Sequence, residues 1–137
     1  MISVTGVTGN YILQPSLVEM HKKSLEWFSA TLLWKRELKF FQLLLQNQAS
    51  KFSSLDDKKK IGHFQNLITY YSGELVEILR KKLRDHENNL ARMLQDENES
   101  DTVYIKEHQS VMGELQSFSD SFHEYRHEFF DFIERVL

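Results

Sequence analysis

Residues 104–133 read YIKEHQSVMGELQSFSDSFHEYRHEFFDFI, a stretch in which apolar side chains return at intervals of three, four or seven residues. The members of this stripe are Tyr104, Val111, Leu115, Phe118, Phe122, Tyr125, Phe129 and Ile133. A period near 3.6 residues is typical of an α-helix that buries one face. The stretch therefore predicts a long amphipathic helix at about residues 101–136.

Two earlier segments repeat this pattern and predict helices at about residues 16–50 and 55–95. Their stripes are Trp27, Trp34, Leu38, Phe41 and Leu45, and then Ile61, Phe64, Ile68, Tyr71, Leu75, Ile78, Leu79, Leu90 and Met93. Ser54-x-x-Asp57 is typical of a helix start, and the polar run QDENESDT at residues 95–102 predicts the second turn. Short turns make neighbouring helices antiparallel. The predicted fold class is all-α, an elongated up-down-up three-helix bundle that dimerisation would complete.

Few residues of the chain interrupt a helix. Pro15 is the one proline, and there are five glycines in 137 residues. Gly73 and Gly113 fall inside predicted helices, where close contact between helices is one reason for a residue without a side chain. We expect residues 1–14 to form an N-terminal arm, loose or with a short extended segment. Residues 15–137 are expected to form a single helical-bundle domain.

The composition excludes several classes of protein. Apolar residues make up 41% of the chain, charged residues 27%, and the net charge is −3. The 17 basic residues are spread along the chain rather than gathered on one face, so no nucleic-acid partner is expected. No apolar run approaches the ~18 residues of a membrane span, so no membrane partner is expected either. The chain has no cysteine and its first residues do not resemble a signal peptide, which predicts a cytoplasmic protein without disulfides or thiolate zinc sites.

The first helix carries a second apolar face opposite its main stripe. This face consists of Leu17, Val18, Leu25, Phe28 and Leu32. Apolar residues on both sides of a helix indicate burial on both sides, and a three-helix monomer covers only one of them. Residues 1–14 or a second copy of the chain could cover the other. We favour a homodimer with Leu17, Leu25, Phe28 and Leu32 at its interface.

Two histidines interrupt the apolar stripes near the second turn. His86 lies on the stripe of the second helix, and His108 lies on the apolar side of the third, at a similar distance from the turn. One interpretation is a hydrogen-bonded polar layer that fixes the alignment of the helices, in which case no cofactor is needed. The alternative is a divalent transition-metal site formed by His86 and His108, with His21 or Glu107 as further ligands.

A second polar layer is expected at the middle of the bundle. Glu37 lies among apolar residues of the first helix, where an unpaired carboxylate would be costly. Arg126 lies at the same height on the third helix, together with Tyr125, and Tyr71 lies there on the second. We expect an ion pair between Glu37 and Arg126, assisted by a tyrosine hydroxyl.

Residues 123–127 read HEYRH and match the H-E-x-x-H pattern of zinc proteases. The helical wheel, however, points Phe122, Tyr125 and Phe129 toward the core, and His123, Glu124 and His127 away from it. We interpret the match as chance. No catalytic residue is predicted, and the chain is not expected to be an enzyme.

Three segments resemble a group of uncharacterised bacterial long-helix bundle proteins. They are HKKSLEWFSATLLWKRELKFFQ at residues 21–42, HFQN at residues 63–66 and FSDSFHEYRHEFFDF at residues 118–132. The resemblance implies a helical bundle and brings no activity with it.

The sequence thus favours a non-enzymatic interaction or scaffold protein that self-associates and could also bind another helical protein. A metal-binding helical bundle, acting as a sensor or redox protein through its inward histidines, is the alternative.

Overall fold

A computed structural model describes residues 7–8, 11–12, 15–96 and 102–137. Two short strands, β1 (Val7–Thr8) and β2 (Tyr11–Ile12), pair antiparallel. The helices are α1 (Pro15–Gln48), α2 (Leu55–Tyr70), α3 (Val76–Gln95) and α4 (Thr102–Ile133). A π-helical segment, Tyr71–Leu75, joins α2 to α3 without a break. Single 3₁₀ turns follow α1 at Ala49–Lys51 and α4 at Glu134–Val136.

The predicted fold class is confirmed, because α1, the continuous run from α2 to α3, and α4 are the three long helices of an all-α bundle. Their ends lie within a few residues of the predicted ones. The expected arm at residues 1–14 includes β1 and β2 and lies otherwise outside the described residues, as do residues 97–101 of the second turn. The assignment of residues 15–137 to a single domain stays a prediction.

Ser54 is the N-cap residue of α2, as the sequence predicts. Its hydroxyl accepts a hydrogen bond from the Asp57 backbone N–H at 3.1 Å. The Asp57 carboxylate in turn accepts two hydrogen bonds from the Arg135 guanidinium, at 3.0 and 2.9 Å. These bonds hold the pKa of Asp57 below its usual value. An ion pair therefore connects the first turn of α2 to the residues that follow α4.

Two compact units make up the chain, and all three long helices contribute to each. Unit 2 consists of Leu32–Ile78 and Ser117–Leu137. Its core is aromatic: Phe41 lies 4.6 Å from Phe129 between ring centroids, and Trp34 lies 4.8 Å from Phe118 in an edge-to-face contact. Aromatic pairs of this kind add to the stabilisation from burial.

Unit 1 consists of Met1–Thr31 and Leu79–Gln116, and its core is built differently. One end packs Leu17, Leu90, Met93 and Tyr104 together. The remainder contains the buried polar side chains of the described residues, which all fall in this unit: His21, Ser24, Thr31, His86, Glu87 and His108. Unit 1 therefore depends on polar pairing where unit 2 depends on ring packing.

The π segment shifts the buried face of the second long helix by one residue. In α2, Ile61 and Ile68 are buried seven residues apart, and the next position in this repeat would be Leu75. Val76 is buried instead, and its N–H bonds to the carbonyl of Tyr71, five residues back. Every buried position that follows is displaced in the same way.

This shift corrects one prediction and explains another. Ile78, which the uniform period placed in the stripe, is 49% exposed. His86 occupies a fully buried position that Asp85 would hold without the extra residue. The expected reason for Gly73 and Gly113 is also wrong, because no atom of another described helix lies within 4 Å of the place where a Cβ would stand at either residue.

Deleting Gly73 tests the role of the π segment. The deletion makes the spacing from Tyr71 to Val76 four residues, which suits a continuous α-helix and leaves the same side chains buried. We expect cooperative unfolding in urea with a stability within about 1 kcal/mol of the parent chain or higher.

Deleting Gly113 is the matched control, because it also removes a helical glycine with open space around it. In α4, however, the buried residues alternate strictly by three and four, so the deletion rotates all that follow by about 100°. We expect loss of cooperative unfolding, measured by circular dichroism. Equal damage from both deletions would contradict the register argument.

Candidate functional site

The candidate site is a polar layer inside unit 1, here called the histidine layer. It consists of His21 and Ser24 from α1, His86, Glu87 and Asn89 from α3, and Tyr104, Glu107 and His108 from α4. Helices α3 and α4 run antiparallel in this unit, and a bond from Lys82 to Glu114 at 2.6 Å fixes their alignment. Residues at equal distance from the turn therefore meet.

His86 and His108 contact each other directly. Nε2 of His86 lies 2.9 Å from Nδ1 of His108, and Nδ1 of His86 lies 2.7 Å from Oε1 of Glu107. An ionised carboxylate only accepts hydrogen bonds, so Nδ1 of His86 carries the proton. Nε2 of neutral His86 is then an acceptor, and Nδ1 of His108 donates to it. The three side chains form a hydrogen-bonded chain from Glu107 through His86 to His108.

Asn89 binds the Glu107 carboxylate, at one end of this series of hydrogen bonds. Its Nδ2 donates to both oxygens of Glu107, each at 2.9 Å. Its own carbonyl oxygen accepts a hydrogen bond from Arg92 at 2.5 Å. Glu107 is partly exposed, so the chain leads from the surface to the buried imidazole of His108.

Tyr104 covers His86 from one side. The two rings are 4.4 Å apart and nearly parallel. Burial raises the pKa of the Tyr104 hydroxyl above its usual value. Burial, and in second place repulsion from His86 when that ring is protonated, lower the pKa of His108 to about 4. Both groups therefore stay neutral at pH 7.

A second pair lies beside this chain. Nδ1 of His21 is 2.7 Å from Oε2 of Glu87, and both side chains are 3% exposed. The two atoms are in close contact, but the contact lacks the geometry of a hydrogen bond, and it is an ion pair only when the imidazole is protonated. Burial raises the pKa of Glu87, although the charges of His21 and His86 act in the opposite direction.

The geometry gives little support to the metal interpretation of these residues. Both ring nitrogens of His86 are engaged, one with Glu107 and one with His108. His21 turns to Glu87 instead of toward the other two histidines. Within the described ranges, no group of three or more His, Asp or Glu side chains is placed to hold a metal ion. The arrangement is that of a polar layer joining three helices.

The mid-bundle pair lies in unit 2. Arg126 donates from Nε and Nη2 to the two carboxylate oxygens of Glu37, at 2.8 and 3.1 Å. The tyrosine assistance that we expected takes another form, because the Tyr125 hydroxyl donates to the backbone carbonyl of Phe64 at 3.3 Å. Tyr71 packs edge-on against Phe118 at 5.1 Å, and burial raises its pKa. This layer therefore consists of a bidentate ion pair next to packed aromatic rings.

The H-E-x-x-H segment lies on the surface. His123, Glu124 and His127 are exposed, whereas Tyr125 between them is buried. The two imidazole rings are 4.6 Å apart between centroids. Two exposed histidines and a carboxylate that points outward provide no enclosed site for a substrate.

The predicted interface residues are in different environments. Leu17 is 2% exposed and packs within unit 1 against Leu90, Met93 and Tyr104, so its own chain already covers it. Leu25 and Phe28 are half-buried, and the Arg80 guanidinium lies 4.4 Å above the Phe28 ring. Leu32 is exposed. The exposed part of the second face therefore begins at Leu32.

Glu87 is the residue of this site that the sequence did not reveal. A charged residue beside the stripe resembles every other surface glutamate of a helix. Its burial follows from the one-residue shift at the π segment, which turns α3 relative to a uniform repeat. The seven-residue spacing after the π segment runs through Leu79, His86 and Met93 and does not include Glu87, so no repeat in the sequence marks it.

Comparison of the chain with protein-family models, with curated proteins and with solved structures returns no match. Across the described residues, no helix combines the length and the apolar character that crossing a membrane requires.

Breaking the buried His21–Glu87 pair should be costly. Replacing His21 by Leu leaves an unpaired buried carboxylate, and we expect a loss of about 3–5 kcal/mol in the free energy of unfolding. The double variant His21→Leu/Glu87→Leu should recover most of this loss. Lys81→Leu is the control, because Lys81 and Asp85 form an exposed pair at 2.9 Å worth about 0.5 kcal/mol or less. Urea denaturation measures all three, and equal losses in His21→Leu and the double variant would contradict the pairing.

Untagged protein should contain less than about 0.1 equivalents of zinc, copper, nickel or iron by elemental analysis. The physical reason is that the nitrogens needed for coordination are engaged in hydrogen bonds. A chelator should leave the melting temperature unchanged. One equivalent of metal that survives dialysis, together with a lower melting temperature in chelator, would restore the metal alternative.

Proposed function

We propose that this chain is a non-enzymatic helical interaction protein that self-associates through the outer side of α1. The observation that carries the proposal is a row of large apolar side chains that the described residues of the chain leave about half exposed. This outer row consists of Leu32, Leu33, Phe40 and Leu43, which are 48%, 57%, 58% and 50% exposed.

The outer row occupies one side of the helix. At about 100° per residue, its four members fall within a sector of roughly 100°. Leu38, Phe41 and Leu45 are buried on the opposite side of the same helix segment. A helix that is apolar on two opposite sides is normally buried on both, and a concentrated exposed patch is typical of an interaction surface.

The occupant that we propose is a second copy of this chain. A twofold contact uses the same patch on both subunits, so an apolar row on one helix can pair with itself. Arg36 lies within the sector of the row, between Leu33 and Phe40, and Lys39 lies at its edge; both are exposed. Their aliphatic stems can cover apolar surface while their charged ends remain in water. The row therefore accepts another helix without burying these charges.

Phe40→Asp should weaken self-association. The substitution introduces a charge at the centre of the outer row, and we expect the dimer dissociation constant to rise at least about tenfold. Leu55→Asp is the matched control, since Leu55 is 68% exposed at the first position of α2 and lies outside the row. Sedimentation equilibrium measures both variants. A parent chain that stays monomeric at ~100 μM would refute the homodimer and would leave a different helical protein as the occupant.

A further inference from the structure

The hydrogen bond between His86 and His108 has room for one proton only. Two ring nitrogens 2.9 Å apart share a single hydrogen, and the other nitrogen must supply the lone pair. Nδ1 of His86 is already committed as a donor to Glu107. A positive charge on His86 would be paired with the Glu107 carboxylate, but a charge on His108 would stand in a buried site, and the shared bond cannot hold both rings charged.

We propose that the histidine layer makes unit 1 an acid-sensitive element: uptake of a proton by His108, whose bond to His86 cannot hold both rings charged, opens unit 1 while unit 2 remains folded. This is a regulatory property separate from self-association, and it rests on the geometry of the buried imidazole pair. The outer row of α1 lies in unit 2 and takes no part in it.

The groups that surround His108 do not neutralise a charge on that ring. From α4, Glu107 is one ring away from His108 and already accepts three hydrogen bonds, one from His86 and two from Asn89. Glu87 on α3 is engaged by His21 of α1. Tyr104 of α4 presents the face of its ring to His86, and its hydroxyl stays protonated. Lys82 of α3 carries a positive charge and bonds to Glu114.

The direction of the pH effect follows from the two states of His108. Its pKa is about 4 in the folded unit and about 6.5 in an opened chain. Between these values the opened form binds more protons, so unit 1 loses stability as the pH falls from about 6.5 toward 4. The contribution of His108 by itself makes the opening constant at pH 5.0 up to roughly 20- to 30-fold larger than at pH 7.5. Glu87 titrates in the opposite direction, because its pKa is raised in the folded unit.

Unit 2 offers a reference within the same molecule. Its core consists of rings and aliphatic side chains, among them Phe41, Phe122 and Phe129. Its partly buried ion pair joins Arg126 to Glu37, and neither residue is a histidine. A fall in pH from 7.5 to 5.0 therefore changes no buried charge in this core.

Hydrogen exchange of the full chain at pH 7.5 and 5.0, in the presence of a chelator, tests the proposal. After correction for the intrinsic exchange rates, amides of residues 83–93 and 104–115 should lose protection by up to roughly 20- to 30-fold at pH 5.0. Amides of residues 38–45 and 118–132 should change less than about threefold. Uniform loss in both sets, or no loss in either, would overturn the proposal.

His108→Asn assigns the effect to the pair. The Asn amide can still donate to Nε2 of His86 but does not titrate, so the differential loss should shrink below about threefold. Because Glu87 is present in both the variant and the parent chain, its opposing contribution cancels when the two losses of protection are compared. The control His123→Gln/His127→Gln changes two exposed histidines and should leave the loss intact. A full loss in His108→Asn would refute the assignment.

An NMR titration of the parent chain gives a readout that does not depend on a variant. The imidazole signals of His108 should titrate below pH 5 in the folded protein and near pH 6.5 in urea. A folded His108 that titrates above pH 6 would overturn the proposal, even if His108→Asn failed to fold.

Discussion

The constraint on which this structure depends is the spacing of the side chains that each long helix must bury. In α4 the buried positions alternate by three and four residues without exception from Tyr104 to Phe132. The second long helix satisfies the same spacing only because the π segment absorbs one residue between Tyr71 and Val76. Without that adjustment, the half of the helix that follows would present Asp85 and Arg92 to the core in place of His86 and Met93. The identity of the polar layer thus depends on five residues in the other unit.

The two cores represent different ways to fill a helical bundle. Unit 2 is filled by rings that contact edge to face, and its stabilisation depends on area and packing. Unit 1 places three imidazoles and a carboxylate where apolar side chains would be more stabilising. Such groups define which residues must meet, since each needs a particular partner at a particular distance. The buried polar groups therefore make unit 1 less stable than an apolar core would, while they specify which residues pair and make the core sensitive to its surroundings.

Much of the fold was predictable, because the apolar period and the polar runs at the turns act locally. The three helices and most of their ends follow from them. Counting outward from the second turn also placed His86 and His108 at one height, where the structure brings them together. Glu87 and the exposure of Ile78 were not predictable in the same way. They depend on a one-residue shift whose origin is tertiary: the helix adopts a π turn because the burial pattern on both sides requires it.

The interface prediction illustrates a second limit. A helical wheel shows that α1 has two apolar sides. It does not show which part of the second side is packed against other residues of the same chain. Leu17 belongs to a core cluster, while the uncovered positions lie further along the helix, at Leu33, Phe40 and Leu43. Only the positions of the neighbouring helices decide which members of a stripe remain exposed.

The division of the chain has an optical consequence. The two tryptophans are Trp27 and Trp34, seven residues apart on α1, and the first belongs to unit 1 while the second belongs to unit 2. Trp34 is buried against phenylalanine rings, whereas Trp27 is partly exposed to solvent. Each unit therefore contains its own intrinsic fluorophore, in surroundings different enough to give distinct emission. Intrinsic tryptophan fluorescence can therefore report on the two units separately, without an added label.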